Sequence, residues 1–126
     1  MGKKKLTNEH LTNKDMSPAV YELRRKVIAL IYDAKKLYPE LPRITVRVAN
    51  RDKNDKIMGV GRMGQNIIWI SEDFVASRCV VFHEILHAAF AIDHVAGCPL
   101  MAAQIDDKLS QKQCDELFLK YARGGK

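Results

Sequence analysis

At 126 residues, the chain has room for one domain with a core of its own and needs no disulfide staples to hold it. Its composition, 47% hydrophobic and 29% charged, is that of a globular protein, and no apolar run approaches the roughly 20 residues of a membrane span. A good share of the positive charge behind the net +6 comes from Lys3, Lys4, Lys5 and Lys14 and from Arg24, Arg25, Lys26, Lys35 and Lys36. Such charge suits nucleic acid or an acidic partner, and more often is simply a solvated face and tail.

The basic N-terminus has no apolar segment behind it, so nothing marks a secretory signal. Leu6 stands where N-myristoylation asks for Ser or Thr. The expectation is a cytoplasmic protein that does not engage a membrane. Cys79, Cys98 and Cys114 are an odd set without a C-x-x-C pair, which argues against a disulfide framework and against a separate zinc ribbon. Cys79 reads as a small core residue.

Residues 1–16 are polar, lysine-rich and aperiodic, a flexible basic tail ahead of a single domain over 17–126. Ser17-Pro18 is a helix start, with Ser as N-cap and Pro at the first helical position. Val20, Leu23, Val27, Leu30, Ile31, Ala34 and Leu37 recur at helical spacing as far as Tyr38, and Pro39 and Pro42 end the run. Arg43 to Ala49 alternates apolar and polar residues and predicts a half-buried strand. Ile57 to Met63, with Gly59 and Gly61, predicts a short, irregular or edge strand, and Asn66 to Ser71 a third. Gly59-Val-Gly-Arg-Met-Gly64 fits G-x-G-x-x-G formally. It precedes a strand instead of opening a helix, so it is no nucleotide site. Ser71-Glu-Asp-Phe74 is a turn with capping potential before a helix from about residue 75.

That helix organises the chain. Val80 to Ile92 is apolar nearly all round and therefore buried, yet it carries His83, Glu84 and His87 in the pattern H-E-x-x-H. A spacing of four puts both imidazoles on one face, one turn apart, within reach of a single metal ion. Glu84 lies about 100° round from His83, where a carboxylate takes a proton from water without ligating the metal. Two histidines and a glutamate inside so apolar a helix are costly unless something satisfies them, and a divalent metal does so for all three. The expected cofactor is one zinc ion per chain. A third ligand must come from beyond the helix, and the nearest donors are Asp93 and His94. His94 is favoured because imidazole is the commoner zinc ligand, with Asp93 as the alternative. From about Ser110 a last helix carries Cys114, Leu117, Phe118 and Tyr121 on one side. The sum is a small α+β domain: N-terminal helix, short mixed three-stranded sheet, H-E-x-x-H helix and C-terminal helix.

With these residues the chain resembles the metzincin zinc peptidases, whose longer signature is H-E-x-x-H-x-x-G-x-x-H or, in some members, D. The match is His83, Glu84, His87 and then Asp93 at the third-ligand spacing, with His94 just after it. Phe90 stands where that family has its turning glycine. Cys98-Pro-Leu-Met101 is similar to the family's methionine turn, which makes Met101 a structural residue beneath the metal; Leu109 to Leu117 is similar to the start of the last helix in matrix-metalloprotease-like members. A second resemblance is to SprT-like (Spartan-type) metallopeptidases, carried by Leu41-Pro-x-Ile-x-Val46, a later glycine, a strand ending Ile70-Ser71 and His83-Glu-x-x-His-Ala88. Those proteins act inside cells on proteins crosslinked to DNA.

Both resemblances imply a zincin-like metallopeptidase fold and a zinc-dependent endopeptidase with Glu84 as general base and a protein or peptide as substrate. An extended substrate would add to an edge strand near 57–62 or 66–71. For a second oxyanion donor the guesses are Tyr121 or an arginine such as Arg78. The rival expectation is a non-catalytic, zinc-stabilised interaction or nucleic-acid-binding module.

Overall fold

The computed structural model describes residues 18–48, 59–62, 64–70, 74, 76–106 and 108–124. The expected tail over 1–16, Ser17 and most of the turn at 71–74 lie outside the described residues.

Helix α1 runs Pro18–Leu37. Its buried positions are Val20, Val27 and Ala34, spaced by seven, with Leu23, Leu30, Ile31 and Leu37 flanking that line in partial burial. Lys35 and Lys36 occupy its last turn, where cations oppose the negative end of the helix dipole. Strands follow at Thr45–Val48 (β1), Gly59–Arg62 (β2) and Ile67–Ile70 (β3). They form one sheet in the order β1-β3-β2. β1 runs parallel to β3 with Val46 beside Ile68, and β2 runs antiparallel to β3 with Gly61 beside Ile68. Ile68 and Ile70 are buried while Ile67 and Trp69 are half-buried, so β3 turns its alternate residues onto the core. Because β3 is the central strand, residues 66–71 cannot receive an added strand; the edges are β1 and β2.

Helix α2 spans Arg78–Phe90 and helix α3 Gln111–Ala122. α2 begins later than the sequence suggests: its N-cap is Ser77, whose hydroxyl accepts from the Val80 N–H at 3.3 Å. α3 opens on a capping box between Ser110 and Gln113. The two helices pack through Phe82 against Phe118, ring centroids 4.7 Å apart, and through Phe90 against Phe118 at 6.5 Å. Arg78 binds Asp115 through Nε and Nη2, at 2.8 and 3.0 Å, and Asp33 of α1 through Nη1 at 3.0 Å. One guanidinium thus ties the three helices together, and the carboxylates raise its pKa above the ordinary value. It is committed there, which removes it as an oxyanion donor.

The cysteine expectation is overturned. Cys79, in the first turn of α2, and Cys114 of α3 form a disulfide across a Cα–Cα distance of 5.6 Å. Cys79 is a cross-link, not an isolated core thiol; Cys98 is free and buried. The pairing is tertiary, and no short-range spacing announces it. Among the described residues, no helix is long and apolar enough to cross a membrane.

Candidate metal centre

α2 is buried over most of its circumference: Val81, Phe82, Ile85, Leu86 and Ala88 go into the core, and so do His83 and His87. Polar rings buried this deeply need partners, and each finds one through Nδ1. His83 Nδ1 donates to the Leu100 carbonyl at 2.7 Å, and His87 Nδ1 to the Ile92 carbonyl at 2.5 Å. A carbonyl only accepts, so both rings carry their proton on Nδ1 and present a bare Nε2 lone pair. Those two Nε2 atoms face each other at 3.0 Å. Two lone pairs at that separation repel unless a cation lies between them.

The third ring arrives from the segment after the helix. α2 ends at Phe90, and Ala91 takes the left-handed conformation (φ 53°, ψ 35°) that turns the chain. The helix's last carbonyls are satisfied there: Ala91 N–H donates to His87 O, Ile92 N–H to Leu86 O, Gly64 N–H to His87 O and Asn66 N–H to Ala88 O. The turn brings His94 back, its ring centroid 5.3 Å from His83 and 4.9 Å from His87. Ligand atoms of His83, His87 and His94 all lie within 4.8 Å of one another, so the three can hold one metal ion. Tetrahedral zinc with nitrogens at 2.0–2.1 Å needs N···N separations of about 3.3 Å, so the closest pair already has nearly the right spacing.

Asp93 does not share the site. It is exposed, and its Oδ1 accepts from the backbone N–H of His94 at 2.7 Å, fixing the turn that delivers the histidine. Of the two donors considered for the third position, the structure brings in His94. Glu84 is half-buried on α2, next in sequence to His83.

Burial holds the His83 imidazole down at about 4; the Leu100 carbonyl opposes this, and the charges of His87 and His94 add to it. His87 is likewise lowered, first by burial. At neutral pH both rings are neutral, the form that a metal requires. A proton bridging the two Nε2 atoms would have to sit on a ring that disfavours it; a divalent cation does not.

The turn at Cys98–Met101 holds one of the three rings. Met101 is fully buried; its N–H points to Cys98 Sγ at 3.4 Å and its carbonyl accepts from Val95 N–H at 2.7 Å. The carbonyl of Leu100, in that same turn, is what orients His83. Sequence reasoning missed Leu100 and Ile92, whose contributions are main-chain oxygens that any residue type would supply. These are the partners that set a ligand's tautomer and ring plane.

Beside His94 lies a cleft of about 650 Å³, lined by Phe90, Ile92, Val95, Tyr121 and Ala122 among others. The Tyr121 hydroxyl bonds to Cys98, which together with burial raises its pKa.

No protein-family model, curated protein or solved structure matches the chain.

Proposed function

We propose that the chain is a zinc-dependent metallopeptidase with a zincin-like arrangement of α2 and the turn that follows it. The observation that carries this is the cluster of His83, His87 and His94, two of whose Nε2 lone pairs converge at 3.0 Å, with Glu84 immediately after the first ligand. Three imidazoles with a fourth position left for solvent are a catalytic ligand set, whereas structural zinc sites are closed by four protein ligands. When bound, zinc acidifies a coordinated water and polarises a carbonyl. Glu84 would accept the proton from that water and return it to the leaving amine.

The left-handed residue supports the metzincin-like reading in a specific way. In the family signature the turning glycine precedes the third ligand by three residues. Here the turn is made by Ala91, three residues before His94, so helix end and ligand have both moved on by one. The apolar cleft beside His94 would take an apolar side chain of a peptide substrate, and β2, one of the two edge strands, is where an extended segment would lie. The cytoplasmic setting expected from the sequence sits poorly with Cys79–Cys114, a bond at home in oxidising compartments.

The test is Glu84→Gln in the zinc-loaded protein, assayed on a quenched-fluorescent peptide mixture. Turnover falls by about 10²–10⁴-fold, while zinc content and melting temperature stay as in wild type. Undiminished turnover in the variant refutes the role of Glu84. A zinc-loaded wild type that cleaves no peptide favours the non-catalytic module.

A further inference from the structure

Away from the histidine cluster, a groove of about 420 Å³ runs between α1 and β1. Arg24, Lys35 and Arg43 line it, with Tyr32 beside them and Ile28 and Leu41 among the apolar residues, and among the described residues no carboxylate contributes to its wall. Two of the cations are held by main-chain carbonyls. Arg24 Nε donates to the Val46 carbonyl at 3.3 Å and Lys35 Nζ to the Leu41 carbonyl at 2.8 Å. The two acids of α1 are engaged elsewhere, Glu22 with Arg25 at 3.4 Å and Asp33 with Arg78 at 3.0 Å.

The same helix carries the exposed aromatics. Tyr32 is 63% exposed and Tyr21 37%, and among the described residues they are the only large apolar side chains left so open. They stand eleven residues apart, which is about 16 Å along the axis and nearly the same azimuth. Along the axis the order is Tyr21, Arg24, Tyr32 and Lys35, so rings and cations alternate on this side of the helix.

We propose that this groove binds single-stranded nucleic acid, with Arg24, Lys35 and Arg43 meeting successive phosphates and Tyr32 stacking on an unpaired base. An acidic peptide would use the cations and leave the tyrosine faces idle. A duplex would meet the charge but hides its bases from the rings. Single strands satisfy both features at once. The surface is independent of the histidine cluster, and its failure would leave the peptidase reading untouched.

The experiment is fluorescence anisotropy of the full chain with a short labelled oligodeoxythymidine over a salt series. Three phosphate contacts give a log–log slope of about −2, a loss of about 20-fold between 50 and 200 mM salt. The triple variant Arg24→Gln, Lys35→Gln, Arg43→Gln flattens that slope by about 2. Tyr32→Ala alters an exposed ring only, so it stays interpretable even if the triple variant folds poorly; it weakens binding by about tenfold with the slope kept. Wild-type binding in both variants overturns the proposal, as does equal affinity for duplex of the same sequence. Displacement by polyglutamate more readily than by unlabelled oligodeoxythymidine would assign the groove to acidic peptides instead.

Discussion

Replacing Cys79 and Cys114 with alanine removes a cross-link between residues 35 apart in sequence. In the chain-entropy treatment, closing a loop of that length withdraws about 13 cal/mol/K from the unfolded ensemble, or about 4 kcal/mol at 25 °C. Unfolding entropy near 60 °C is about 2.1 cal/mol/K per residue, so for 126 residues the loss corresponds to about 15 °C in melting temperature. The assay is thermal unfolding by circular dichroism, with chelator present throughout so that metal does not contribute. Reduced wild type is the companion sample, because it opens the bond without altering buried packing at Cys114. Thiol titration of the denatured, unreduced wild type reads one group per chain, Cys98, in place of three. The double variant nevertheless keeps its metal site, since Arg78 with Asp115 and Phe82 against Phe118 still seat α2 on α3. Three free thiols in the untreated protein, or a double variant melting within a few degrees of wild type, would refute the reasoning.

Three other perturbations act closer to the site. In metal-free protein His83 titrates at about 4 when folded against 6.5 when unfolded, so the unfolded chain binds the extra proton in between. Stability is therefore full above about pH 6.5 and falls as pH drops towards about 4, by at most ~1.4 kcal/mol per pH unit from this residue. His87 acts in the same direction. Urea midpoints at pH 7 and pH 5 should differ accordingly, and His83→Gln should shrink the difference. Met101→Ala empties a fully buried position next to Leu100, whose carbonyl holds His83, and costs about 2–5 kcal/mol, while Met101→Leu keeps the volume and costs less than about 1.5 kcal/mol, both read by urea unfolding. Ala91→Gly relieves a left-handed backbone at φ 53° and raises stability by up to about 1 kcal/mol with zinc affinity unchanged; a destabilised variant would mean that the alanine methyl matters for packing.

The H-E-x-x-H helix was legible because its signal is local. An interval of four fixes His83 and His87 on one helical face whatever the rest of the chain does, and the apolar surroundings announce burial. The third ligand was not legible to the same degree. It depends on where α2 stops, and no glycine marks that point; Ala91 adopts the left-handed turn with help from Gly64 and Asn66, which come from the β2–β3 connection. Asp93 and His94 are adjacent in sequence, and a difference of one residue in the turn decides between them. The first strand was legible by alternation and the third by its β-branched and aromatic residues, but β3's central place arises from pairing with β1 and β2, which no single-strand pattern encodes. The disulfide was misread for the same reason: Cys79 and Cys114 belong to different helices and meet only once α2 packs on α3.

Two features of the fold converge on the candidate site. The turn at Cys98–Met101 supplies the carbonyl that fixes His83, and the helix end supplies the one that fixes His87. Backbone geometry on the C-terminal side of α2 thus sets both tautomers before any metal binds. Such preorganisation is what separates a ligand set from a chance gathering of imidazoles.

The most direct measurement is zinc content by elemental analysis of the purified protein, with His94→Ala and Asp93→Ala beside wild type. A zinc site built from His83, His87 and His94 gives about one zinc per chain in wild type and in Asp93→Ala, and loss of the metal in His94→Ala. No zinc in wild type, or zinc retained by His94→Ala and lost from Asp93→Ala, would contradict it.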